Sequence, residues 1–325
     1  MQKTGIALAG TGAAHAFDFA RKIRESDTAY LTGIFTGEPA EAEKRMPGVH
    51  LYHSYEELLR DPEAKGIIIT SAMKDHCHMI LEAAQYGRAV FAENGLCMDE
   101  DEAHLIRYAV KKNDICFVLS DPVRKPPFLV LKKWMEEKIC GETVSVHVHM
   151  AGSSGLTETF RPGQAYLMPF SEGHGHHACA MLAWLLGRPL YAGAAGGRMS
   201  APARNSGAFD NAAALFVYAS GVTGILQMSA MESSRPYEAW VFCTDGMLYA
   251  SKTEAGYRRT GGQWTVIGKE DWPQPYPYIL DEWTRCIREN REPEMYGIDD
   301  AVMIAEMYSA VQTAFRQTVR IGDSL

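Results

Sequence analysis

The first 120 residues alternate short apolar runs with longer stretches of helical spacing, and this alternation constrains the fold more than any other feature of the chain. Parallel strands cannot be joined by tight hairpins, so each needs a crossover, and an amphipathic helix is the usual one. Strands are expected at Gly5–Ala9, Ala29–Phe35, Gly66–Thr70, Ala89–Ala92 and Ile115–Ser120. Helices are expected at Ala14–Glu25, Tyr55–Leu59 and His76–Tyr86, with another beginning at Asp99. In that last helix Ala103, Ile106, Tyr108 and Val110 are expected along one apolar stripe, and the acids at its start suit the helix dipole.

Past Asp121 the texture changes. Pro122, Pro126 and Pro127 interrupt the pattern, a helix is expected over Phe128–Lys138, and Thr143–Met150 alternates as a half-buried strand does. Ala208–Val217, Gly224–Met231, Glu238–Cys243 and Trp264–Ile267 read as further strands, separated by turn signals such as Thr244-Asp245-Gly246. A final helix, Asp299–Arg316, carries Val302, Ile304, Met307, Val311 and Phe315 as a core-facing set. With 325 residues, two domains are expected, 1–121 and 122–325.

Composition removes several classes of function. Lys plus Arg is 32 against 40 for Asp plus Glu, a net charge of −8 with no basic stripe, so nucleic acid is not an expected partner. The seven cysteines contain no CxxC pair, as expected for buried thiols in a reducing, cytoplasmic setting. No run approaches the ~18 apolar residues that span a bilayer, so no membrane association is expected.

The first strand runs into Gly10-Thr11-Gly12-Ala13-Ala14-His15, which carries two of the three glycines of a dinucleotide-binding turn. Gly10 would permit the tight turn and Gly12 the approach of a pyrophosphate to main-chain amides, with Ala13 and Ala14 opening the helix whose N-terminus receives the phosphates. His15 takes the third glycine position. At the tip of the second strand, where an acid commonly binds the adenosine ribose, the chain has Thr36, with Glu38 two residues on and Lys44 and Arg45 further along. Both NAD and NADP stay open as cofactors.

The segments GTGAAH (10–15), ITSAMKDH (69–76), AVFAENGL (89–96), GHGHHACAMLAWLLG (173–187) and LDEWTRCIRENREP (280–293) together resemble the Gfo/Idh/MocA family of nicotinamide-dependent oxidoreductases over nearly the whole chain. The resemblance implies an α/β protein: an N-terminal Rossmann nucleotide-binding domain and a C-terminal α/β domain with an open, mainly antiparallel sheet. It also implies a small carbohydrate, cyclitol or polyol substrate and a homodimer or homotetramer. Carried over by residue, it puts Thr70, Ser71 and His76 beside the cofactor and Glu93 on the acid of the family's Glu-Lys-Pro motif. Asn94 replaces the lysine of that motif and Gly95 its proline. Asparagine hydrogen-bonds but exchanges no proton near neutrality, so Asn94 can orient a substrate without acting as its base.

The same alignment puts His177 on the family's recurrent active-site histidine, Gly173 on its catalytic aspartate and Ala180 on a further acid. Glu172 stands beside the missing aspartate and could supply a displaced carboxylate. His177 is the expected proton-exchanging residue, with His174 and His176 able to relay or orient. Arg161 and Tyr166, in the segment leading to this helix, are expected to contact substrate through charge and ring packing, although a loop salt bridge and interface packing are the plainer readings. His147 and His149 share one strand face, but nothing in the sequence converges them with the histidine cluster, so no metal site is expected. Three functions are compatible with these departures: net oxidation or reduction, a transient redox step that enables elimination or glycoside cleavage, and a non-enzymatic nucleotide or ligand sensor.

Overall fold

The computed structural model describes residues 3–12, 15–93, 95–97, 99–120, 123, 125–151, 174–206, 209–232, 237–268, 279–294 and 296–317. The chain forms two compact units, one of Met1–Asp121 with Pro277–Ala305 and the other of Pro122–Tyr276 with Glu306–Leu325.

Unit 1 begins with β1 (Thr4–Ala9), α1 (Ala16–Glu25), β2 (Ala29–Phe35), α2 (Pro39–Arg45), β3 (Leu51–Tyr52) and α3 (Tyr55–Arg60). It continues with β4 (Gly66–Ile69), α4 (His76–Gln85), β5 (Ala89–Ala92), α5 (Glu100–Lys112) and β6 (Phe117–Leu119). The strands pair in parallel in the order β3-β2-β1-β4-β5-β6. Strands β1, β4 and β5 are buried along their whole length, which is why they read as unbroken apolar runs rather than alternating ones. The order reverses between β1 and β4, and the carboxyl ends of those strands are where such sheets bind ligands. Asp99 caps α5 by accepting from the Glu102 amide at 2.9 Å. Tyr108, expected on the apolar stripe of α5, is instead 65% exposed. It lies about 200° round the helix from Ile106, and the buried face is Ala103, Ile106, Ala109 and Val110.

Unit 2 contains α6 (Pro126–Glu136), β7 (Thr143–Ala151), α7 (His174–Leu186), β8 (Tyr191–Gly197), α8 (Ala201–Ser206), β9 (Asn211–Val217) and β10 (Thr223–Ser229). Then follow β11 (Tyr237–Cys243), β12 (Gly246–Ala250), β13 (Ala255–Arg259) and β14 (Thr265–Ile267). They form one sheet in the order β14-β13-β12-β11-β7-β10-β9-β8, antiparallel except for β7 with β10. One face buries Val146, Val148, Met150, Phe216, Leu226, Met228, Val241 and Leu248. Helices α6 and α7 lie on that face: Phe128 packs edge-on to Tyr237 at 5.6 Å and Trp134 to Tyr257 at 5.2 Å, while Leu182 abuts Gly224.

Two further helices follow, α9 (Ile279–Glu289) and α10 (Ile298–Gln317). Of the expected core set on α10, Val302, Ile304, Met307 and Val311 are buried. The domains expected as 1–121 and 122–325 are contiguous stretches, whereas the compact units are not: Pro277–Ala305, with α9 and the first part of α10, groups with unit 1. Trp283 is fully buried with its ring 5.4 Å from that of Phe91, and a Cβ on Gly66 would come within 2.6 Å of the same indole. Thr284 joins it, its hydroxyl 3.1 Å from that of Thr28.

Candidate active site

At the carboxyl ends of β1 and β4 the main chains come into direct contact. Gly10 has φ of +90°, and a Cβ there would stand 2.5 Å from the Ser71 amide nitrogen, so only glycine fits. The Thr70 hydroxyl donates to the Gly10 carbonyl at 2.6 Å, and its amide to Ala9 at 2.8 Å, which fastens the two strand ends together. Gly12 is exposed and less constrained, with a Cβ reaching only to 3.4 Å of the Ala72 amide. Ala13 and Ala14 lie outside the described residues. Ser71 Oγ is buried without a hydrogen-bond partner among the described residues, a costly state for a hydroxyl unless a ligand completes it. A tight glycine turn, an open glycine beside it and an unsatisfied hydroxyl fit a dinucleotide at this switch point.

The tip of β2 carries a hydroxyl rather than a carboxylate. Thr36 Oγ1 lies 2.6 Å from Thr11 Oγ1 and accepts from the Glu38 amide at 3.0 Å. Sequence reading named Thr36 but not Thr11, whose partner stands 25 residues away.

His76 is 2% exposed at the start of α4. Its Nδ1 is 2.8 Å from the Gly95 carbonyl and its Nε2 is 3.1 Å from that of Ser71. A neutral ring has one N–H and so donates to one of these at a time. Burial pushes its pKa down, against the pull of the carbonyls. The imidazole therefore ties the loop after β4 to the loop after β5. Glu93 directly follows β5, half-buried, its amide donating to the Ile69 carbonyl at 2.9 Å. Asn94 lies outside the described residues, but Gly95 has φ of +40°, which the proline of the family motif cannot adopt.

In unit 2 the N-terminal turn of α7 carries the histidine cluster. His176 is 1% exposed and stacks on Tyr308 of α10 with ring centroids 4.0 Å apart, whereas His177 is half-buried. Successive helical residues are about 100° apart, so the two rings leave the helix in different directions. His174 opens the helix, its side chain outside the described residues, as are Arg161, Tyr166, Glu172 and Gly173 altogether. His149 lies elsewhere, with Nε2 3.0 Å from Glu232 and Nδ1 3.6 Å from Glu238. The fold orients α7: Leu182 covers Gly224 and the Leu190 amide, just past the helix, bonds Val217, whose neighbours in register are Thr223 and then Ser145. The His174–His177 turn thus points toward the carboxyl end of β7. Tyr237, opposite Met150, and Lys125, at the start of α6, share that edge. Nothing in the sequence marks this pair beyond a lysine placed directly before two prolines.

Comparison with known proteins agrees with this architecture. Residues 4–120 match the family model described as an oxidoreductase family, NAD-binding Rossmann fold, and residues 128–249 match the GFO/IDH/MocA C-terminal domain. An uncharacterized oxidoreductase of Streptococcus pneumoniae serotype 4 is 28% identical over 118 residues, which is 36% of this chain and only 31% of that relative's length. Among solved structures, an oxidoreductase of Desulfitobacterium hafniense described as NADPH-dependent superposes with a TM-score of 0.85 at 16% identity, over 98% of this chain and 97% of that one. The aldose-aldose oxidoreductase of Caulobacter crescentus does so with a TM-score of 0.82 at 17% identity, over 97% and 98%. Matched by its family models in both the nucleotide-binding and the C-terminal part, the chain belongs to the Gfo/Idh/MocA family of oxidoreductases.

Proposed function

We propose that this protein moves hydride between NAD or NADP and a hydroxyl or ketone of a sugar-like or cyclitol substrate, with His177 exchanging the hydroxyl proton. The observation that carries the reading is the Gly10–Ser71 contact with its unsatisfied serine hydroxyl, at the point where the strand order reverses. Bound nicotinamide supplies the hydride chemistry. The chain supplies the rest: Thr70 and Ser71 hold the turn, and His76 braces the two loops beside it. Asn94 orients the reacting oxygen. His177 serves in proton transfer because imidazole is the side chain suited to it near neutral pH. His176 stacks on Tyr308. The sugar-like substrate is supported by the name of the aldose-aldose oxidoreductase that shares the fold. A cytoplasmic homodimer or homotetramer is the accompanying proposal, and among the described residues no helix is long and apolar enough to cross a membrane.

A panel of polyols and ketoses, followed at the absorbance of reduced nicotinamide, tests the reading. Cofactor reduction by at least one polyol, or oxidation by one ketose, is expected; absence of any NAD or NADP binding would defeat it. The replacement of the motif lysine by Asn94 favours a second reading, in which the substrate is oxidised only transiently before elimination or glycoside cleavage. Substrate conversion with no net change in cofactor absorbance would select that reading.

A further inference from the structure

Lys125 stands at the N-cap of α6, half-buried, with Nζ 5.4 Å from the centroid of the Tyr237 ring. Lys252, exposed in the turn after β12, brings its own Nζ to 5.3 Å from the same ring. Two ammonium groups on one ring repel each other, and half-burial of one weakens the screening that would make this harmless. The ring attracts each ammonium but neutralises neither: among the described residues neither lysine has a carboxylate within 4 Å, and the first turn of α6 carries no acid. Among the described residues, the groups facing Lys125 are Tyr237 from β11 and Lys252 from the turn after β12. Burial first, and Lys252 second, push the Lys125 pKa down. Tyr237 lies in register with Met150, on the sheet face that α6 and α7 cover and at the edge toward which the His174–His177 turn points.

We propose that Lys125 and Lys252 form an anion clamp that takes a carboxylate or phosphate group of the substrate. An anion between the two ammonium groups removes their repulsion and gains charge-assisted hydrogen bonds with both. The clamp narrows the substrate class assigned above, on which it rests, from neutral polyols to sugar acids or sugar phosphates.

The test is calorimetric titration of the full-length protein, first with NADH or NADPH and then, with cofactor saturating, with D-gluconate, D-glucose 6-phosphate and neutral D-glucose. Inorganic phosphate serves as a probe without a carbon skeleton. Phosphate is expected to bind, and at least one of the two anionic sugars to bind tenfold or more tightly than glucose, with affinity falling as salt is raised. Which anion wins separates a carboxylate site from a phosphate site. Lys125→Met and Lys252→Met are each expected to weaken anion binding about tenfold while leaving NADH affinity unchanged. Lys252 is exposed, so its variant keeps the test valid should Lys125→Met fold poorly. Anionic sugars binding no tighter than glucose, or Lys252→Met retaining wild-type affinity for phosphate, would overturn the clamp. Failure of the wild type to bind either cofactor would instead overturn the oxidoreductase reading.

Discussion

Gly10 in unit 1 and His176 in unit 2 are both fixed by close neighbours, but the neighbours constrain different things. Gly10 is held by main chain, through a positive φ and the Ser71 amide, so no other residue can stand there. The glycine motif is therefore a statement about backbone, and it means in space what it means in sequence. His176 is held by ring packing on Tyr308. A run of histidines suggests convergent chemistry, yet helical phase turns His176 into the interior and leaves His177 half-buried. Motifs that constrain the main chain can be carried over directly, whereas motifs built of side chains must first be sorted by direction.

The comparison breaks most visibly at His177. His177→Ala is expected to lower turnover by about 10²–10⁴-fold while NADH affinity changes less than about twofold, measured by steady-state kinetics and fluorescence titration. Turnover within about threefold of wild type would remove His177 from the chemistry. Next comes Gly10→Val, which combines a disfavoured φ with a main-chain clash and is expected to weaken NADH binding by about a hundredfold. Gly12→Ala, with its looser surroundings, should cost much less, and equal losses at the two positions would contradict the account of the turn. His176→Phe should keep turnover within about threefold and cost less than about 2 kcal/mol in denaturant melts. A loss as large as that of His177→Ala would mean that both rings serve the chemistry.

The smallest expected effect is one of pH. The folded pKa of His76 lies below its unfolded value, so on acidification the unfolded chain takes up the proton first. Stability from this residue is fully present above about pH 6.5 and is lost as the pH falls, by at most about 1.4 kcal/mol per pH unit. Denaturant melts at pH 7.5 and 5.5 should show a smaller drop for His76→Gln than for the wild type. An identical drop would mean that the loop brace does not titrate in this range.

Legibility followed physical cause. The buried strands β1, β4 and β5 announce themselves because a strand covered on both faces needs an unbroken apolar run. Edge strand β8, Tyr-Ala-Gly-Ala-Ala-Gly-Gly, is mostly exposed and has no pattern to find. Strand β3 has two residues, too few for any period. Strands β12 and β13 are five residues each, and only the pairing of β12 with β11 and of β13 with β12 makes them part of a sheet. In the candidate site, Gly10 is legible in the glycine turn, and Thr70 and Ser71 only through the family resemblance. The Thr11–Thr36 bridge, the double carbonyl contact of His76 and the approach of Lys125 and Lys252, 127 residues apart, to the one Tyr237 ring depend on how distant segments are brought together.

The burial of Trp283 against Gly66 and Phe91 also sets a schedule for synthesis. The six strands of unit 1 leave the ribosome well before the helix that covers part of their sheet, and 155 residues of unit 2, Pro122–Tyr276, are made in between. At about 5–20 residues per second, that delay is on the order of ten to thirty seconds. During it the nucleotide-binding sheet has an apolar surface without its final cover. The nascent chain is then most open to chaperones and to premature association, and nucleotide binding is expected to mature only when α9 arrives.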